Sequence, residues 1–228
     1  MKVLIAEDDA RTREGLAEIL RGEGYQVVLA ADGREALDLF GRESPDFVCL
    51  DVMMPSVDGY EVCRRIRALD ASVPVIFISA KSEEIDKVIG LELGGDDFIN
   101  KPFGVREVVA RIRAVTRRFL AAKGLGEEMA VFTMGDLEVR PAELRARRGS
   151  TVIDLSLRDV KILGLLHRNR GKALDRNTIF NHCWGEDHFP ESRSLDQHIS
   201  QLRKRIEADP KDPRIIRTVH GVGYRFDG

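Results

Sequence analysis

Cysteine is scarce in this sequence. There are three, Cys49, Cys63 and Cys183, an odd number without C-x-x-C spacing, so neither a disulfide framework nor a zinc ribbon can be drawn. Each sits in an apolar pattern and reads as a core side chain. Long apolar runs are missing too: none approaches the roughly 18 residues that a membrane helix needs. The N-terminus MKVLIAEDD has four apolar residues in a row before acid, too few for a signal peptide. The second half lacks a nucleotide-binding loop or a zinc motif. These absences point to a soluble, cytoplasmic chain with no membrane partner.

What is present is charge, balanced in total and divided along the chain. The 228 residues are 43% hydrophobic and 32% charged, enough for two domains with proper cores. Residues 1–120 hold 17 Lys+Arg against 22 Asp+Glu, and residues 121–228 hold 19 against 16, giving −5 and +3. An acidic half followed by a mildly basic one suggests a regulatory domain joined to an anion-binding domain.

In the first half, Val3–Ala6, Gln26–Leu29, Phe47–Leu50, Val75–Ile78 and Phe98–Ile99 read as strands. Amphipathic helical patterns such as Arg11–Arg21 and Tyr60–Ala68 lie between them, and glycines and prolines punctuate the joints. Five such units in a row predict a doubly wound, five-stranded parallel α/β sheet, with its ligand site outside the carboxyl ends of the strands. This explains why the run Phe47–Leu50 stops on a carboxylate, Asp51. Glu7 and Asp8 follow the first strand, Asp51 the third, Ser79 ends the fourth and Lys101 follows the fifth. Any one of these acids alone reads as a helix cap or a surface charge. Three on one sheet edge call for a hard cation with oxygen ligands and for the Lys101 ammonium.

These motifs, AEDD at 6–9, LDVMMP at 50–55, DG at 58–59, ISA at 78–80 and DDFINKPF at 96–103, resemble the CheY-like receiver domains of two-component response regulators over residues 1–118. By that resemblance Asp51 accepts a phosphoryl group from a histidine kinase, and Glu7, Asp8, Asp51 and the backbone carbonyl of Met53 hold Mg²⁺. Ser79, Phe98 and Lys101 relay the signal. Met53 and Lys81 would flank the path of a hydrolytic water, implying slow self-dephosphorylation. The resemblance extends to the OmpR/PhoB subfamily, whose receivers pair through intersubunit ion pairs. The matching pairs here are Lys87 with Glu107, Asp97 with Arg111 and Asp96 with Arg118. The implied activity is confined to the receiver's own phosphotransfer and dephosphorylation, so the chain is not otherwise expected to be an enzyme.

Leu120–Met129 (LAAKGLGEEM) reads as a linker, dividing a receiver at 1–119 from a second domain at 130–228. There Val131–Val139 and Arg145–Leu155 read as small antiparallel strands, and SLRD at 156–159 opens a helix as a capping box. A second helix follows Asp175. A third runs from about Ser192 to Ala208, with Leu195, Ile199, Leu202 and Ile206 as its buried stripe. Its other face offers hydrogen-bond donors, among them Arg193, Gln197, Ser200, Gln201 and Lys204. RIIRTVHGVGYRF closes the chain as a hairpin. Three helices and a terminal hairpin predict a winged helix-turn-helix, an α+β fold. LSLRDVKILGLL, SLDQHISQLRKRIE and RTVHGVGYRF resemble the OmpR/PhoB DNA-binding domain. That resemblance places the third helix, Ser194 included, in the major groove and Thr218, His220 and Gly221 of the hairpin in the minor groove. His220 stands where many relatives carry Arg. The loop Glu186–Glu191 occupies the place where relatives meet RNA polymerase.

The expectation is a transcription factor switched by phosphorylation of Asp51, dimerising through its receiver to bind repeated sites on double-stranded DNA. A phosphatase of the haloacid-dehalogenase type needs a second Asp where Met53 stands. The alternative is a constitutive DNA binder with phosphorylation-independent dimerisation.

Overall fold

The computed structural model describes residues 1–81, 84–123, 130–184 and 192–228. The chain forms two compact units, Met1–Ala122 and Lys123–Gly228. In the first, β1 (Lys2–Ala6), β2 (Gln26–Ala30), β3 (Phe47–Leu50), β4 (Val75–Ser79) and β5 (Asp97–Asn100) form one sheet in the order β2-β1-β3-β4-β5. Every neighbouring pair is parallel. Helices must then cover both faces, which is why β3, and β4 as far as Ile78, are apolar without alternation and both strands are wholly buried. The strand order reverses at β1. The carboxyl ends of β1 and β3 therefore flank a crevice, with Ala6 paired to Leu50 at its floor.

The crossover helices are α1 (Ala10–Glu23), α2 (Gly33–Glu43), α3 (Gly59–Leu69) and α4 (Glu84–Glu92), and α5 (Val105–Lys123) follows β5. Aspartates start the first three: Asp9, Asp32 and Asp58 accept backbone N–H groups of Thr12, Glu35 and Glu61 at 2.8–2.9 Å. Gly59 must be glycine, because a Cβ there would lie 2.1 Å from the Asp51 carbonyl oxygen. α3 thus starts against the backbone at the end of β3. α5 runs to Lys123, beyond the expected linker boundary at Leu120. Phe119 and Leu120 are buried in continuation of the stripe Val108, Ile112 and Val115, so the helix persists until that stripe ends. Residues 124–129 of the expected linker lie outside the described residues.

In the second unit the two expected strands are two hairpins. β6 (Phe132–Met134), β7 (Leu137–Arg140), β8 (Arg145–Arg148) and β9 (Thr151–Asp154) form an antiparallel meander. α6 (Leu157–Arg168), α7 (Arg176–Trp184) and α8 (Ser192–Ile206) follow. A three-stranded sheet orders β10 (Leu174–Asp175), β12 (Gly223–Arg225) and β11 (Arg217–Val219). The last two are the predicted hairpin; β10 was not expected. Gly223 permits it, since a Cβ there would lie 2.1 Å from the Leu174 carbonyl oxygen.

The capping box is present: Ser156 Oγ accepts from Asp159 N at 3.0 Å and the Asp159 carboxylate accepts from Ser156 N at 2.7 Å. Asp159 is also fully buried, with His198 Nε2 at 2.8 Å and the Arg205 guanidinium at 2.8 Å, both from α8. Burial alone would raise its carboxyl. The His198 hydrogen bond and the Arg205 charge override that and hold it well below the usual carboxylate range. A carboxylate depressed in the folded state stabilises that state above its unfolded pKa near 3.8, and the contribution is lost as pH falls below that value. Asp159→Asn is expected to cost roughly 2–3 kcal/mol at pH 7. The gap from wild type should narrow as pH falls from 4 toward 2, as checked by urea unfolding followed through the single tryptophan, Trp184.

Candidate functional site

At the carboxyl edge of the parallel sheet, Lys101 Nζ lies 2.7 Å from Glu7 Oε1 and 2.7 Å from Asp51 Oδ2. Glu7 and Asp51 are buried; Asp8 is exposed. Carboxylate oxygens of all three acids lie within 4.8 Å of one another. Burial lifts the Glu7 carboxyl to about 7, opposed by the Lys101 hydrogen bond and reinforced by the negative charge of Asp51. Burial by itself would lower the Lys101 ammonium, but the hydrogen bonds to Asp51 and Glu7 outweigh it and raise its pKa. One ammonium therefore serves two buried acids, with the exposed Asp8 beside them. Glu7 Oε2, also 2.7 Å from Nζ, is buried and makes no hydrogen bond. A pocket lined by three carboxylates with oxygens within 4.8 Å of one another fits a hard divalent cation.

Asp51 Oδ1 accepts the backbone N–H of Met53 at 3.1 Å, and the Met53 side chain is exposed. Ser79, fully buried, accepts the backbone N–H of Lys81 at 3.2 Å. Lys81 sits 3.7 Å from the Asp86 carboxylate and 5.6 Å above the Tyr60 ring, which gives its ammonium partners on α3 and α4. The Tyr60 hydroxyl donates to the Asp86 carbonyl at 3.0 Å. Phe98 is buried, its ring centroid 6.0 Å from that of Phe77.

Five of the six charged residues of the expected pairing face have partners within one chain. Arg111 bridges Asp97 and Glu107, each at 3.0 Å. The Asp96 carboxylate receives Arg67 at 3.0 Å and Val75 N at 2.8 Å, while Arg118 donates to the Asp96 carbonyl at 3.2 Å. Lys87 lies on α4, half-buried. Sequence reading missed the apolar component there: Ile85, Val88, Ile89 and Leu91 of α4 and Val105 of α5 are exposed. The all-round apolar spacing of IDKVIGL was the available signal.

On α8, Leu195, Ile199, Leu202 and Ile206 are buried as expected, and Gln197, Ser200, Gln201 and Lys204 are exposed. Ser194 is half-buried; the Arg193 side chain lies outside the described residues. In the hairpin, Thr218, His220 and Gly221 are exposed. Glu207, just past α8, is buried and accepts the backbone N–H groups of Arg214, Ile215 and Ile216 at 2.8–3.1 Å, which fixes the approach to β11. The loop Glu186–Glu191 falls outside the described residues.

A doubly wound sheet with an acid cluster and a lysine at its carboxyl edge, followed by three helices and a hairpin, defines a receiver joined to a winged-helix DNA-binding domain. Residues 3–113 match the response regulator receiver domain, and residues 149–226 match the C-terminal domain of transcriptional regulatory proteins. The chain is 41% identical to sensory transduction protein RegX3 of Mycobacterium tuberculosis (strain ATCC 25618 / H37Rv), over 99% of both chains. It is 38% identical to the alkaline phosphatase synthesis transcriptional regulatory protein PhoP of Bacillus subtilis (strain 168), over 99% of this chain and 96% of the relative. A CheY-like receiver domain crystal structure from Methanospirillum hungatei JF-1 covers 53% of this chain and 97% of its own, with a TM-score of 0.51 at 25% identity. The protein belongs to the OmpR/PhoB family of two-component response regulators and is a DNA-binding transcription regulator. Among the described residues no helix is long and apolar enough to cross a membrane.

Removing the shared ammonium should drive Glu7, whose carboxyl already stands at about 7, into its neutral form beside Asp51. Lys101→Met is expected to lose about 2 kcal/mol in urea unfolding at pH 7 with chelator present. Glu7→Gln added to that variant should recover part of the loss, a positive coupling that a double-mutant cycle measures.

Proposed function

We propose that Asp51 accepts a phosphoryl group from a histidine kinase and that the phosphorylated receivers pair to place two winged helices on a repeated DNA site. The observation that carries this reading is the Lys101 ammonium at 2.7 Å from both Asp51 and the buried Glu7. It orients Asp51 Oδ2, while the Met53 N–H orients Oδ1. Lys101 then neutralises charge on the incoming phosphoryl oxygens, so catalysis is positioning plus electrostatics. Glu7, Asp8 and Asp51, with the Met53 carbonyl, would hold Mg²⁺, which when bound supplies further positive charge to the phosphoryl group. The closeness of the three carboxylates, with oxygens within 4.8 Å of one another, supports that assignment.

Phosphorylation adds acceptor oxygens and about −1.5 to −2 charge beside Asp51. The Ser79 hydroxyl is the donor that moves to meet them, and Phe98 repacks into the space it leaves. The readout is the α4–β5–α5 face, where the exposed Ile85, Val88, Ile89 and Leu91 supply apolar contact. Lys87, Asp96, Asp97, Glu107, Arg111 and Arg118 supply register. For Asp96, Asp97, Glu107, Arg111 and Arg118 this requires exchange of within-chain partners for those of a second copy. Gln197, Ser200, Gln201 and Lys204, with Arg193 and Ser194, read the major groove; Thr218, His220 and Gly221 meet the minor groove. The 186–191 loop is assigned to RNA polymerase by family resemblance alone.

The exposed apolar side chains of α4 also favour the second reading, pairing without phosphorylation. Beryllofluoride with Mg²⁺ should raise the light-scattering mass from 25.6 kDa to twice that value, and Asp51→Asn should stay monomeric. A dimer in both proteins without beryllofluoride would support the second reading; an unchanged mass after verified phosphorylation would exclude the switch.

A further inference from the structure

The hairpin β11–β12 is held to the recognition helix at one rung. Thr218 and Tyr224 face each other in the β11–β12 register, and each is tied to a different turn of α8. The Tyr224 hydroxyl donates to Asp196 Oδ1 at 2.7 Å, and Arg203 donates to Thr218 Oγ1 at 2.8 Å and to the Ile216 carbonyl at 2.9 Å. Asp196 and Arg203 are seven residues apart, two turns along the same face of α8, or about 10.5 Å. Two anchors at that spacing on one rung set both the distance and the tilt of the hairpin relative to the helix.

The surroundings make the anchors stiff. The Tyr224 ring is buried, with the guanidinium carbons of Arg176 and Arg203 at 5.3 and 5.4 Å from its centroid. Arg176 also donates to Asp196 Oδ1 at 3.0 Å and to the Val222 carbonyl at 3.3 Å, joining the start of α7 to both elements. Burial, then the contact with Asp196, pushes the phenol up to about 12, so it remains a donor at neutral pH. Arg203 offers donors only. Thr218, accepting from it, keeps its own proton for an outside acceptor such as a phosphate oxygen.

We infer that Tyr224 and Arg203 are positioning residues for DNA binding: they present Thr218 and the hairpin tip at a fixed angle to α8 while themselves serving as its internal struts. This rests on α8 and the hairpin forming the DNA surface. It differs from a packing role because the ties join two elements that would approach DNA separately.

The test uses the full chain and duplexes that the wild type selects from a random pool. Tyr224→Phe removes only the hydroxyl, and Arg203→Lys keeps charge without the fork that reaches both Ile216 and Thr218. Each should retain the wild-type circular dichroism and Trp184 emission, yet bind about tenfold more weakly. Hydroxyl-radical protection in the minor groove should fade while methylation protection in the major groove persists. The slope of log affinity against log salt should fall by about 0.9 for each phosphate that the variant no longer neutralises. His220→Ala should cost less in the Tyr224→Phe background than in wild type. Unchanged affinity, or a parallel loss of both protections, would overturn the inference. A wild type that protects only the major groove would overturn the hairpin's role itself, leaving Tyr224 and Arg203 nothing to position.

Discussion

A lysine ammonium shared by two buried carboxylates is the interaction around which the receiver is built. Glu7 and Asp51 could not both ionise beside each other in a protein interior without it. The parallel sheet brings them together because every strand ends at the same edge and every helix begins there. Asp9, which caps α1, adjoins Asp8 in sequence, and Asp58, which caps α3, follows Asp51 by seven residues, so the segments that start these helices also carry the ligands. The lack of a side chain at Gly59 lets α3 start directly against the Asp51 carbonyl.

The winged-helix unit uses a buried acid to the opposite end. Asp159 has a backbone N–H, an imidazole and a guanidinium around it, and both its oxygens are engaged. Glu7 shares its ammonium with Asp51 and keeps one oxygen without a hydrogen bond. Complete satisfaction pins α8 to α6 and leaves no room for an added ligand. The Lys101 ammonium beside three clustered carboxylates leaves capacity for one.

The central strands of the receiver were legible because burial on both faces writes them as apolar runs, and Asp51 was legible because it interrupts one. The α8 stripe was legible from its spacing. Partners far apart in the chain were not: nothing local in sequence joins Arg67 to Asp96 or Arg203 to Thr218. β10 has two residues, too few to carry a period, and exists because Gly223 lets another backbone approach. The end of α5 was read too early because the glycines after Leu120 outweighed the burial of Phe119 and Leu120, which is a property of the fold.

The cysteines that looked inert in the sequence lie buried in the two units, Cys49 and Cys63 in the receiver and Cys183 on α7. Burial pushes the Cys49 and Cys183 thiols up to about 12 and raises Cys63 as well. Thiolate is the species that reacts, so a native thiol of this kind is alkylated only when its surroundings open. The labelling rate at Cys49, two residues from Asp51, therefore registers opening of the receiver core, and that at Cys183 registers opening of the winged-helix core. The chain carries its own pair of reporters, one for each half, with no probe added.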